Sequence, residues 1–176
     1  MWDNEQTITV LLKQTSRKHI DIVLEWMKSN HFFEAPASIK HHNNFLGGLA
    51  QHSLDVYNEA VRLNNAIDEP LPCDSVTICS LLHDVCKSDV YCVDSQGKLR
   101  KNHENEAKGH GIRSIQILKS CELPLSREEE LAIWWHMGEY EHGANQSIDY
   151  LLSQNIPLCN LIRHADHNAA INGKRM

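Results

Sequence analysis

The chain has no apolar run approaching the roughly 20 residues that a membrane-spanning helix requires, so nothing in it reads as a transmembrane helix. Its first residues, Met1-Trp2-Asp3-Asn4-Glu5-Gln6, lack the basic-then-apolar order of a secretory signal, and the expected location is the cytoplasm. None of the six cysteines, Cys73, Cys79, Cys86, Cys92, Cys121 and Cys159, stands in a C-x-x-C pair. Several fall in apolar helical segments, which argues for reduced core thiols over disulfides or a thiolate zinc site. Positive charge is in short supply: 17 basic residues face 23 acidic ones, a formal net charge of -6. That balance disfavours a surface built to follow a nucleic-acid polymer. It leaves room for a small anion, because divalent cations bound in a cleft reverse the local sign. There is no internal repeat and no low-complexity tract.

At 176 residues and 20.1 kDa the chain suits one domain spanning 1–176 better than two. Ile20, Val23, Leu24 and Met27 fall at helical spacing within 16–30. Phe32-Phe33-Glu34-Ala35-Pro36-Ala37-Ser38 is too short and too proline-interrupted to continue it, and reads as a loop packed inward by its aromatics. His41 and His42, beside Asn43-Asn44 and Gly47-Gly48, suit a turn and are left out of the candidate site. Periodicity resumes from Leu49 to Leu63 with His52 near its start. Asp74 is a plausible N-cap for a helix through Val76, Ile78, Cys79, Leu81 and Leu82, which is apolar nearly all round and belongs at the centre of a domain.

Residues 90–101 break the helical pattern. Val90-Tyr91-Cys92-Val93, Asp94-Ser95-Gln96-Gly97 and Lys98-Leu99-Arg100 suggest a small β-hairpin insertion. Gly109-His110-Gly111 then opens a helix with Ile112, Ile115, Ile117 and Leu118 on its buried side. Ser126 and Glu129 fit a capping box for a helix that carries Trp134 and Trp135 to His136 and stops at Gly138. A short helix over 147–152 follows, and Pro157 suits the first turn of the last one. There Leu158, Leu161, Ile162 and Ala165 form the apolar side. The expected class is all-α, a bundle of about six or seven helices.

The chemistry concentrates at Leu81-Leu82-His83-Asp84-Val85-Cys86-Lys87. An imidazole and a carboxylate stand side by side at the end of an apolar segment, so both can reach one metal ion while the second carboxylate oxygen reaches another. One His-Asp pair among 12 histidines is weak by itself. Its company is His52 upstream, then His110, His136 and Asp166. An aspartate beside an apolar stripe needs a partner or a metal. Lys87 follows Asp84 by three residues, placed to contact a phosphate or to complement the helix dipole. Arg113 suits a phosphate contact or a salt bridge, and His164 and His167 flank Asp166 at angles that point elsewhere.

The order His52, His83-Asp84, His110, His136, Asp166, with Gly47-Gly48-Leu49-Ala50-Gln51-His52-Ser53-Leu54 and Trp134-Trp135-His136-Met137-Gly138, resembles the HD-domain superfamily of metal-dependent phosphohydrolases. The loop from Phe32 to Ser38 adds a similarity to one bacterial and phage branch. The resemblance implies that His52, His83, Asp84 and Asp166 hold one divalent ion, with Asp84 bridging to a second held by His110 and His136. It also implies that Asp84 and Lys87 serve catalysis on a phosphomonoester or phosphodiester of a nucleotide or other small phosphate ester. Iron or manganese is expected ahead of magnesium, cobalt, nickel or zinc, since imidazole and carboxylate without thiolate single out no one metal. The ligand histidines must be neutral to bind, so metal and activity are expected to be lost below about pH 6. The same ligands suit a di-iron oxygenase of the myo-inositol oxygenase kind, or a non-catalytic nucleotide-binding sensor that keeps the metal for structure. The Gly-Tyr-Pro motif of the cyclic dinucleotide branch is absent.

Overall fold

The structure, a computed structural model, describes residues 3–38, 41–93, 99–101, 109–141 and 143–173. Eight α-helices run through them: α1 (Asn4–Gln14), α2 (Ile20–Ser29), α3 (Gly48–Asn64), α4 (Cys73–Leu82), α5 (His110–Ser120), α6 (Arg127–Trp134), α7 (Ile148–Ser153) and α8 (Pro157–Asn172). The class is all-α. Tyr91–Val93 (β1) and Leu99–Lys101 (β2) pair antiparallel with Cys92 opposite Arg100. The Asp94-Ser95-Gln96-Gly97 turn expected between them lies outside the described residues.

Helix α4 is the centre. Every residue from Val76 to Leu82 is buried, as a helix without a polar face requires. Its one interior serine is satisfied locally, the Ser80 hydroxyl donating to the Val76 carbonyl at 2.6 Å. Helices α3 and α8 pack on α4 and on each other, with α1 and α6 also against it. Asp74 lies inside the first turn instead of capping it; Pro72 holds the cap position and no side chain bonds there. No described helix is long and apolar enough to cross a membrane. The five cysteines whose side chains are described are free thiols, all buried except Cys73.

Two departures from the sequence expectation have local causes. Helix α1 is additional. Its stripe is only Ile8 and Leu12, both wholly buried, and Asp3 caps it by accepting from the Gln6 N–H at 2.8 Å. Helix α2 starts at Ile20, not near residue 16, because Ser16 and His19 adopt left-handed φ values of 51° and 65°. That turn swings Arg17 onto Glu129, its guanidinium donating to both carboxylate oxygens at 2.8 and 2.9 Å and to the Pro124 carbonyl at 2.8 Å.

Glu129 forms the expected capping box with Ser126, and it is also 1 % exposed. It accepts from the Ser126 N–H and from the Ser75 hydroxyl, each at 2.8 Å, so one carboxylate ties the turn before α2, the start of α4 and the start of α6. Burial acts against its charge, but the hydrogen bonds from Arg17, Ser126 and Ser75 outweigh it and hold its pKa below the ordinary glutamate value. A group depressed in this way stabilises the fold above its unfolded pKa and loses that contribution as pH falls through the folded one. Glu129→Ala should therefore cost about 3 kcal/mol at pH 7, the price of an unpaired, partly buried arginine and a lost cap. In urea titrations the deficit relative to wild type should shrink below about pH 4, and a deficit independent of pH would contradict the pairing.

Candidate metal centre

Four chain segments converge on one buried point. His52 lies on the second turn of α3 and is wholly buried. One turn before it, Gly48 approaches the Asn43 carbonyl so closely that a Cβ would collide with it, and this contact holds the preceding loop against the start of α3. The loop carries His42, whose ring centroid lies 4.5 Å from that of His52. Sequence reasoning placed His42 in a turn away from the site. Its proximity arises from the fold of the loop, and no spacing in the chain signals it. Burial above all, then the neighbouring His52 and Lys87, lowers its pKa to about 4, so it is neutral at pH 7.

His83 is the C-cap of α4, and the helix breaks at Asp84 (φ -107°, ψ 17°) into a 3-10 turn over Val85–Asp89. Three residues per turn places Lys87 over Asp84, and its ammonium donates to Asp84 Oδ2 at 2.6 Å. Lys87 thus faces the ligand side as expected, with the Asp84 carboxylate as its charge partner. His136 stands two residues past α6, which ends at Trp134 and not at His136 as the sequence suggested. Asp166 follows the buried Ala165 on α8.

The candidate ligand atoms face one another. His52 Nε2 lies 3.0 Å from Asp166 Oδ1 and 3.8 Å from Asp84 Oδ2. His83 Nε2 lies 3.4 Å from Asp84 Oδ2 and 3.8 Å from Asp166 Oδ1. His136 Nε2 lies 3.4 Å from the other Asp84 oxygen, Oδ1. Two groups result, His52, His83 and Asp166, and His83, Asp84 and His136, each with ligand atoms within 4.8 Å of one another. His110, at the start of α5, lines the cleft above them but belongs to neither group.

Helix ends set the ring orientations. His83 Nδ1 lies 2.9 Å from the Ser80 carbonyl and His136 Nδ1 2.7 Å from the Ile133 carbonyl. Both acceptors lie in the last turn of a helix, where carbonyls lack intrahelical donors. A carbonyl accepts only, so Nδ1 carries a proton, and in the neutral ring Nε2 is left with its lone pair pointing inward. The negative ends of the α4 and α6 dipoles favour a cation at the same place.

Nε2 of His52, His83 and His136 and Oδ1 of Asp84 are buried without a hydrogen-bond partner. Four such atoms turned toward one another would be costly in a plain core, and they fit a divalent cation. The electrostatics agree. Burial opposes charge on Asp84, but Lys87, His83 and His136 outweigh it and hold the carboxyl well below the usual range. Asp166 is likewise lowered, burial being outweighed by its contact with His52 and the charges of His83 and His136. Burial lowers the pKa of His52, partly offset by Asp166. For His136 burial acts downward too, but contact with Asp84 prevails and takes its pKa up to about 8.

The site forms the inner end of a cleft of about 520 Å³, with Lys87, His110, His136, Tyr140, Arg163 and Asp166 in its walls. Arg113 is paired with Asp89, one guanidinium nitrogen donating to both carboxylate oxygens at 2.6 and 2.7 Å. Of the two readings open for it, the salt bridge is the one formed. His164 and His167 are exposed and border the cleft.

A family model described as the HD domain matches residues 49–171. No curated protein and no solved structure matches the chain. The matched span contains every residue of the buried His/Asp cluster, and the chain belongs to the HD domain family, a family of metal-dependent phosphohydrolases.

Proposed function

We propose that the protein is a dinuclear phosphohydrolase that cleaves a phosphomonoester or phosphodiester bond of a nucleotide or another small phosphate ester. The observation that carries this reading is the set of four buried, partnerless ligand atoms facing one another. In this reading residues 1–176 act as one HD domain, with α1, which precedes the matched span, packed on α3 and α4, and with the paired strands β1 and β2 as an insertion whose Tyr91 lines the cleft.

His52, His83, Asp84 and Asp166 would hold one ion, and Asp84, His136 and His110 the second. The disposition of Asp84, with Oδ2 toward His52 and His83 and Oδ1 toward His136, supports a shared carboxylate. Divalent ions bound there supply a nucleophile from water near neutral pH, by lowering its pKa to roughly 7, and offset the charge of the phosphoryl oxygens. The chain supplies the rest. Carbonyls at two helix ends keep His83 and His136 in the tautomer that leaves Nε2 free. Burial of His52, His83, Asp84 and His136 keeps bulk water from the ligand atoms, which strengthens the charge interactions among them. Lys87 brings a fixed positive charge to the cleft wall, where a phosphoryl group would sit beside Asp84.

The deciding experiment is phosphate release from a panel of nucleotides and simple phosphoesters, with manganese, iron, cobalt, magnesium and zinc supplied separately under anaerobic conditions. Wild type should turn over at least one ester, chelation should abolish it, and Asp84→Ala should lose more than about 100-fold in kcat, beyond the loss of an outer-shell partner. Metal binding without turnover of any ester would transfer the reading to the oxygenase or the sensor, the former marked by oxygen consumption.

At saturating metal, Lys87→Met should lower kcat by roughly 10- to 100-fold, the worth of one charge-assisted hydrogen bond. An unchanged kcat under those conditions would count against the role.

The pKa of about 8 at His136 moves the expected pH threshold upward from the value of about 6 given by an unperturbed imidazole. In the ion-free protein His136 is mostly protonated at pH 7, so manganese binding should release about one proton there and lose affinity by about tenfold per pH unit below pH 8. Calorimetric titrations in buffers of different ionisation enthalpy read the proton directly. No release at pH 7 would refute the assignment of His136.

A further inference from the structure

Four of the described arginines are each paired with a carboxylate: Arg17 with Glu129, Arg62 with Glu59, Arg113 with Asp89 and Arg127 with Asp149. Arg163 differs from these four. It makes no ion pair with a carboxylate among the described residues, although it is half-buried and lines the cleft. Glu139 lines the same cleft and is not in ion-pair contact with it.

The guanidinium is nevertheless held in place. Nε donates to the Trp135 carbonyl at 3.4 Å, Nη1 to Asn160 Oδ1 at 3.1 Å and Nη2 to the Ser153 hydroxyl at 3.4 Å. These acceptors are neutral and two of the bonds are long, so its charge is not neutralised. Its carbon lies 5.9 Å from the centroid of the Tyr150 ring, within cation–π reach. The stem crosses Gly138, where an added Cβ would lie 3.2 Å from Cδ and 3.3 Å from Nε. Gly138, at φ 62°, thus leaves room for the arginine as well as for the turn, which accounts for a residue of the Trp134-to-Gly138 segment that metal binding does not use.

Arg163 precedes Asp166 by three residues on α8, so the two side chains emerge on one face about one turn apart. A fixed, uncompensated guanidinium next to a site for phosphoryl chemistry is suited to bidentate capture of an oxyanion. We propose that Arg163 binds a second anionic group of the substrate, a phosphate or a carboxylate, while the scissile phosphoryl group lies at the His/Asp cluster. The preferred substrates are then organic phosphates with two anionic groups, such as nucleoside diphosphates or phosphorylated acids, in preference to simple monoesters. This rests on the phosphohydrolase reading for where the first phosphate sits.

The test is equilibrium binding to manganese-loaded full-length protein, with no turnover needed. The probes are methylphosphonate, with one anionic group, phosphonoacetate, with a carboxylate as the second, and methylene- and propylene-bisphosphonate, with a second phosphonate at two spacings. Wild type should favour at least one two-anion probe over methylphosphonate, and which probe wins identifies the second group. In Arg163→Met that ratio should fall roughly 10- to 100-fold; Arg163→Lys, which keeps charge but loses the fork, should recover part of it. Thermal melts identify a variant that fails to fold, and the Lys variant then carries the test, since it too should lower the ratio. A ratio unchanged in both variants, or no preference in wild type, overturns the proposal. Absence of ester hydrolysis would sink the phosphohydrolase reading while leaving this ratio readable. Hydrolysis of simple monoesters with no Arg163-dependent ratio would sink this inference alone.

Discussion

The carboxylate of Asp84, 1 % exposed, is the group around which the interior is arranged. An isolated charge at that depth costs several kcal/mol and would be expected to neutralise by taking up a proton. It is held ionised by Lys87 on one oxygen and by His136 on the other, with His83 and His52 beside them. Each partner is itself buried, so none can satisfy the others by reaching water. Removing any one leaves a charge or a lone pair uncompensated in a low-dielectric pocket. The centre is thus a single electrostatic unit, and α4, the most buried helix, ends there because its last residues deliver His83 and Asp84 to it.

The same structural device orients two imidazoles. His83 and His136 each turn Nδ1 back to a carbonyl three residues earlier, at the ends of α4 and α6. A helix C-terminus leaves those carbonyls without donors, so the ring locks its own tautomer by satisfying a bond the backbone lacks. Had α6 run on past Met137, the Ile133 carbonyl would have been occupied within the helix. The ends of both helices thus hold the two rings with Nε2 turned inward.

This explains which parts were legible in the chain. The family resemblance pointed to His52, His83-Asp84, His136 and Asp166, and the structure brings these five side chains together; His110, implied by the same resemblance, lines the cleft and belongs to neither group. Helix α8 and the capping box of α6 carry local signals, proline at the first turn and serine three residues before glutamate, and both form. What was not legible depends on contacts between distant parts of the chain. Arg17 reaches Glu129 through a left-handed turn that no residue type announces. His42 reaches His52 through a loop folded over a glycine, and α1 buries a stripe of only two residues. None of these has a periodicity, because each is made by packing.

The net charge of -6 and a reading in favour of phosphate esters are reconciled by where the charges lie. Most acidic residues whose partners are described are either exposed or paired, as Glu129, Glu59, Asp89 and Asp149 are with arginine. Glu139 and Asp166 stand in the cleft wall; Asp166 and the buried Asp84 lie where bound ions would reverse their sign. Arg163 stands one turn from Asp166 on the same helix. With ions bound, such a cleft would present positive charge at two points, and α8, which carries both Asp166 and Arg163, would help to set the spacing between them. In the proposed reading an anion bridging the two would have to span that distance, so that α8 would both offer a ligand and help to select the substrate.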